Sequence, residues 1–238
     1  MKNQYFGDIN DYRKYGLLRA LTGNGTLRTA VCWMLTPDDG RRDGKRVSYL
    51  YYPLMWQHHD PELFNSLRET VLNKKTRDVR EAEKTSLLHN ACFHAAPVPD
   101  GAPEREEYFK SFMDIAQHSE VIFFDPDNGI EVPSMPFGWK GSSKYTYWRE
   151  IITAFTSGHS VLVYQHFPRI RRDRFVPAIA QEFAARTGAL SVYTFKTSCV
   201  LFLLACRRRH LESFQNAAVL AEKSWEPHFQ ITLHLYRH

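Results

Sequence analysis

Four short apolar runs in the second half of the chain constrain its fold more than any other feature. They are "VIFFD" (121–125), "SVLVYQHF" (160–167), "LSVYTFKTS" (190–198) and "CVLFLLACR" (199–207). Each has the length and β-branched or aromatic content of a buried strand. Between the first two lies "YTYWREIITAFTSG" (145–158), which reads as a helix stopped by Gly158. Between the second and third lies "RDRFVPAIAQEFAARTG" (172–188), a helix with Pro177 in its first turns. Strands alternating with helices predict parallel β-α-β units with right-handed crossovers. The last two runs follow each other too closely for a crossover, so they predict an antiparallel pair. "HLESFQNAAVLAEKSW" (210–225) reads as a helix and "FQITLHLY" (229–236) as an edge strand.

The first half carries weaker signals. Residues 9–21 have apolar positions at helical spacing, and "GNG" stops them. "TAVCWML" (29–35) reads as a buried strand closed by "TPDDG", and "VSYLYYPL" (47–54) as another. "DPELFNSLRETVLN" (60–73) predicts a helix with Asp60 as N-cap and Pro61 in the first turn. Residues 74–100 fit no single element, and 104–118 predict an amphipathic helix. The expectation is one α/β domain over 1–238, with a possible helical insertion at 55–118. No run of about 18 apolar residues suggests a membrane span. The polar N-terminus lacks the apolar core of a signal peptide, which points to a cytoplasmic protein. The four cysteines form no C-x-x-C pair; Cys32 and Cys199 lie in apolar runs and read as buried.

"VIFFDPDNG" raises the question of function. A carboxylate directly after four apolar residues is costly unless it is solvated, paired or used. In open α/β sheets, ligands bind beyond the carboxyl ends of the strands. Asp125 at such a tip can accept a hydrogen bond from a substrate amine or hold a metal. It can also simply cap a turn shaped by Pro126 and Gly129. Asp127, Asn128 and the strand-end His166 belong to the same candidate site.

Residues 6–15 read "FGDINDYRKY". Together with "DPDN" after a strand and the strand-end "VLVYQHFPR", this resembles the 23S ribosomal RNA adenine-N6 methyltransferase family, which carries an N-terminal H-A-G-N-x-A-D-V-x-K-H signature and a catalytic D-P-P-Y. Gly7, Asp11 and Lys14 match the signature; Asp8 replaces Asn and Tyr15 replaces His. The resemblance implies a Rossmann-like methyltransferase-type sheet, mostly parallel, with a terminal antiparallel strand pair. It implies S-adenosylmethionine as cofactor, bound by Gly7, Asp8, Asp11 and Lys14. It also implies Asp125 and Pro126 as the groups holding a base amine. Two features depart from the family. Only Gly40 stands where its glycine-rich loop would be, and Asn128 cannot stack on a base as the D-P-P-Y aromatic does. Tyr145, Tyr164 or Trp139 are the alternative rings, with Lys144 and Arg169 as substrate contacts.

Two other readings stay open. Asp8, Asp125 and Asp127, with Asp11 and Asp38 or Asp39, could gather and bind Mg²⁺ or Mn²⁺ as in a metal-dependent nuclease or phosphodiesterase. A diverged, non-catalytic module binding nucleic acid or protein is the third. The net charge of +5 and the basic clusters at 41–46, 169–174 and 207–210 fit a nucleic-acid partner. "GWKGSSKY" (138–145) reads as a flexible basic-aromatic loop suited to a single strand or a lid, and "HH" at 58–59 as a solvated loop.

Overall fold

A computed structural model describes residues 1–38, 40 and 44–236. The chain enters through helix α1 (Ile9–Leu21), whose N-cap is Asp8, and then strand β1 (Thr29–Cys32). Three short helices follow, α2 (Pro53–Trp56), α3 (Pro61–Arg68) and α4 (Arg80–Lys84), before strand β2 (Ala91–His94). Helix α5 (Ala102–Ala116) leads to β3 (Val121–Phe124). Two-residue strands β4 (Gly129–Ile130) and β5 (Tyr145–Thr146) pair with each other apart from the main sheet. Helix α6 (Trp148–Thr156), β6 (Ser160–His166), α7 (Arg172–Thr187), β7 (Ser191–Lys196), β8 (Val200–Ala205), α8 (Leu211–Ser224) and β9 (Gln230–Leu235) complete the chain.

The seven-stranded sheet has the order β2-β1-β3-β6-β8-β7-β9. β2, β1, β3 and β6 are parallel; β8 runs against both β6 and β7, and β9 runs against β7. Five strands therefore share one direction, as the alternating pattern implies for a Rossmann-like sheet. Successive strand residues face opposite sides, and the core divides accordingly. Val31, Phe123, Leu162 and Phe202 pack with α1, α3 and α8. Ala30, Ile122, Phe124, Val163 and Leu203 pack with α5, α6 and α7. The chain leaves β1 for β2 on one side and returns to β3 on the other. The gap between the tips of β1 and β3 is thus a topological switch point, the place where open α/β sheets bind ligands.

Several local expectations fail for identifiable reasons. Residues 47–54 are no strand; they form a 3₁₀ turn (Ser48–Tyr51) and then α2, because Pro53 has no N–H for a ladder and sits well at a helix start. Of that run, Tyr49 and Leu50 are buried in the core and Val47 packs partly against it. The unassigned stretch 74–100 contains β2, so the span 55–118 supplies a sheet strand as well as helices. His59 is buried rather than solvated, stacked on Trp225 with ring centroids 5.2 Å apart. Cys199 is half-buried in the β7–β8 turn, and all four cysteines are free. The 138–145 loop is pinned by Asp100, whose carboxylate accepts from the Gly141 and Ser143 amides, both at 2.8 Å. Among the described residues no helix is long and apolar enough to cross a membrane.

Helix α1 is locked against the C-terminal segment. A Cβ on Gly16 would lie 1.8 Å from the Trp225 ring, so the helix approaches as closely as glycine permits. Nearby, His228 stacks on Trp56 at 4.7 Å, and its Nδ1 lies 3.2 Å from Arg13 Nη2. Burial, then Arg13, His59 and His58, pull the His228 pKa down to about 4.

Two outcomes follow from this packing. Gly16→Ala should destabilise the fold by about 1–3 kcal/mol through overpacking, read as a lowered denaturant midpoint with an unchanged slope. His228 folds as the neutral imidazole, so its contribution is present above the unfolded value of 6.5 and is lost as pH falls from there towards 4. Stability measured against pH in the native chain and in His228→Gln should show a smaller acid loss in the variant.

Candidate active site

The N-terminus of α1 lies against the carboxyl tips of β1, β3 and β6, and a cavity of about 560 Å³ opens there. That volume suits a small-molecule or cofactor site, for which roughly 300–1,000 Å³ is usual. Asp11 and Lys14 lie one turn apart on α1, with Oδ1 and Nζ 2.7 Å apart. Lys14 Nζ also donates to Asp125 Oδ2 at 2.7 Å, across 111 residues of sequence. The Asp125 amide continues the strand ladder, donating to Cys32 O at 3.1 Å. All three side chains are buried, at 2–5% exposure, so each charge depends on the others.

Secondary contacts complete the cluster. Asp11 Oδ2 accepts from the Gly7 amide and from the Tyr15 hydroxyl, both at 3.2 Å. The Lys14 ammonium sits 5.2 Å from the Tyr15 ring centroid, 5.7 Å from that of Trp33 and 6.0 Å from that of Tyr164. Burial raises the Asp11 pKa to about 6; Lys14 offsets part of this and Asp125 adds to it. Burial lowers the Lys14 value, but Asp11 and Asp125 together outweigh it, and the net shift is upward. Lys14 is therefore held as an ammonium. Burial and Asp125 push the Tyr164 phenol well above its ordinary value.

Asp127 and Asp8 flank the trio. Asp127 Oδ1 is 2.8 Å from the Met1 α-amine, a charge contact without hydrogen-bond alignment, and Oδ2 accepts from Thr36 Oγ1. Burial raises the Asp127 pKa, but the α-ammonium and the Thr36 bond lower it further, and the net is downward. The Met1 amine donates to Met34 O and Asp125 O, each at 3.0 Å, bridging the β1 and β3 tips. Asp8 caps α1 through Asn10 N at 2.9 Å and accepts from Arg46 N at 3.1 Å. His166 ends β6 at the cavity mouth; its ring is exposed there, yet burial lowers its pKa against the pull of Asp127 and Asp125.

Of the residues singled out from sequence, Asp8, Asp11, Lys14, Asp125, Pro126, Asp127, Tyr164 and His166 all line this cavity. Five others do not. Gly7 stands behind Asp11, its carbonyl accepting from Tyr49 OH at 3.2 Å. Asn128 is a backbone latch: its N–H donates to Lys144 O at 2.9 Å and its carbonyl accepts from His166 N at 3.2 Å. Lys144 and Tyr145 are consequently drawn towards the β4–β5 pair, and Arg169 lies on the exposed segment after β6. Trp139 is 63% exposed in the loop that Asp100 pins, also outside the cavity lining. Asp38 accepts from Gln4 N, and Asp39 lies outside the described residues.

Sequence reasoning missed the segment Gly44–Arg46. It reads as a basic cluster, yet all three residues line the cavity. Gly44 has φ +75°, and a Cβ there would come within 2.1 Å of the Tyr5 ring. A glycine in this backbone conformation is the usable signal, and it lies four residues after Gly40, the residue the family resemblance singled out. Gly40 does not line the cavity, and a Cβ there would meet nothing.

The proposed metal set of Asp8, Asp125 and Asp127 is not assembled. Each carboxylate is committed elsewhere, to the α1 cap, to Lys14 and to the Met1 amine. Among the described residues, no group of three His, Cys, Asp or Glu side chains is arranged to hold a metal ion. No family model matches the chain, and no curated protein matches it.

Removing the cation should expose what it holds. Lys14→Met leaves two buried carboxylates unpaired and should cost about 3–5 kcal/mol. Adding Asp11→Asn to that variant should recover a measurable part of the loss in chemical denaturation. Additive losses in the double variant would mean the three groups are not coupled.

Proposed function

We propose that this chain is an S-adenosylmethionine-dependent N-methyltransferase acting on an exocyclic amine of a nucleic-acid base. The carrying observation is Asp125. It stands at the switch-point tip of a central strand and lines the cavity with Pro126. Lys14 takes Oδ2, and no described residue hydrogen-bonds Oδ1. That oxygen is a fixed acceptor for one N–H of an entering amine, and the Pro126 carbonyl is a neighbouring acceptor for a second. Lys14 holds the carboxylate in one orientation, so little reorganisation is needed as the amine approaches. Asp125 can also accept the proton that the methylated nitrogen sheds.

The donor set suits the cofactor. Asp8 and Asp127 complement its ammonium and sulfonium charges, and Lys45 and Arg46 complement its carboxylate. Gly44 keeps the backbone close to the same wall. Bound there, the cofactor supplies an electrophilic methyl group.

A polyanionic substrate is supported by the distribution of charge. Lys45 and Arg46 follow β1, and Arg169, Arg171 and Arg172 follow β6, so both groups leave the carboxyl edge of the sheet. The third cluster, 207–210, follows the oppositely directed β8 and lies at the other edge. There Arg209 donates to Gly158 O at 2.8 Å. It takes no part in the cavity mouth.

Calorimetric titration of S-adenosylmethionine tests the cofactor, and transfer of a labelled methyl group to short RNA and DNA strands tests the reaction. The native chain and Asp125→Asn should both bind cofactor. The variant should lose transfer by on the order of 100-fold at a temperature where circular dichroism shows it still folded, since neutralising one member of the buried trio also lowers its melting temperature. No cofactor binding by the native chain, or full transfer by Asp125→Asn, would defeat the reading.

A further inference from the structure

We propose that the His166 imidazole is the ring on which the target base stacks, in place of the aromatic that Asn128 does not supply; this rests on the base-directed reading above. A base taken out of its strand needs a flat apolar surface beside the groups that read its edge. Among the described residues, three rings line the cavity: Tyr5, Tyr164 and His166.

Two of them are engaged. The Tyr5 ring has the Lys2 ammonium 5.7 Å from its centroid and faces the Gly44 backbone. Tyr164 is 9% exposed, packed against Phe202 at 5.4 Å and 78°, with the Lys14 ammonium 6.0 Å from its centroid. His166 is different. It is an exposed residue at the mouth, and among the described residues its one ring contact is Tyr164, at 5.1 Å and 83°, with the Tyr164 hydroxyl 3.4 Å from its Nε2. A perpendicular contact of that kind covers at most one face of the imidazole and leaves the other without a ring contact among the described residues.

The ring is also held at a set distance from Asp125. β3 and β6 pair in register, Phe124 opposite Val163, which places Asp125 level with Tyr164. His166 is two residues further along and on the same side of the strand. It is thus the last member of the file Leu162, Tyr164, His166, projecting past the sheet into the cavity. Its amide donates to Asn128 O at 3.2 Å, tying the β6 tip to the turn that carries Asp125 and Pro126. In this arrangement Asn128 contributes its backbone, and the histidine it anchors contributes the π-face.

The probe is a short single-stranded oligonucleotide carrying one 2-aminopurine, whose fluorescence is quenched when the base stacks. It is titrated into the cofactor-loaded native chain and into His166→Phe, His166→Leu and His166→Ala. Native protein and His166→Phe should quench alike. His166→Leu, which keeps bulk and packing but has no π-face, and His166→Ala should lose at least half of the quench and raise the oligonucleotide KM. Cofactor affinity and melting temperature should not change. Native-like quenching by His166→Leu overturns the assignment. Tight cofactor binding without any quench in the native chain also overturns it, and leaves the methyltransferase reading standing. Absence of cofactor binding removes both.

Discussion

The ion cluster of Asp11, Lys14 and Asp125 is the interaction on which the rest of the structure depends. One ammonium lies 2.7 Å from each of two carboxylates, all three nearly sealed from water. Such groups are costly to bury singly and strongly coupled when buried together. Lys14 reaches Asp125 only if α1 lies across the sheet with its first turns over the β3 tip. The aromatic residues of that helix then fall into place. Tyr15 packs edge-on to Trp33, and Tyr12 contacts Tyr49, Phe64 and Trp225. The same geometry gives the cavity its floor.

Charge is graded across the cavity. Its inner wall is acidic, with Asp8, Asp11, Asp125 and Asp127, while Lys45 and Arg46 border it from the segment after β1. The backbone does part of the work. The Met1 amine joins the carbonyls at the β1 and β3 tips, and the Asn128 carbonyl joins β3's turn to β6. Three strand ends are thereby stitched into one rim, and side chains on that rim hold fixed separations. Catalysis that consists mainly of positioning needs little more than this rigidity.

Much of the fold was legible in particular residues. Gly158 and Gly188 end their helices in left-handed conformations, Asp60 accepts from Leu63 N, and the runs around 190–207 pair antiparallel. The failures share a cause. "VSYLYYPL" has strand composition, but which side of it meets the core depends on a sheet to which it does not belong. β2 is four residues long and only one of them is buried, so it carries no periodic signal. Lys144, Tyr145 and Arg169 were placed near the site by closeness along the chain, whereas hydrogen bonds to Asn128 and pairing with β4 direct the first two away. The basic cluster at 207–210 goes to the far edge because β8 runs backwards, a fact about strand direction that composition does not contain.

By itself, the sequence determined that strands and helices alternate, that a carboxylate follows the apolar run 121–124, and that residues 9–21, with Asp11 and Lys14, form a helix. These are local properties, set by side-chain period, capping and turn chemistry within a few residues. Only the tertiary structure decided that Lys14 neutralises Asp125, that the three acids of the metal reading are separately committed, and that Gly44–Arg46 line the cavity. It also decided that Tyr164 and His166 line the cavity with Asp125 while Tyr145 and Trp139 do not. Each of these joins segments tens to more than a hundred residues apart. Coulomb and hydrogen-bond energies fall off over a few ångströms, so only the folded path of the chain sets which charges meet.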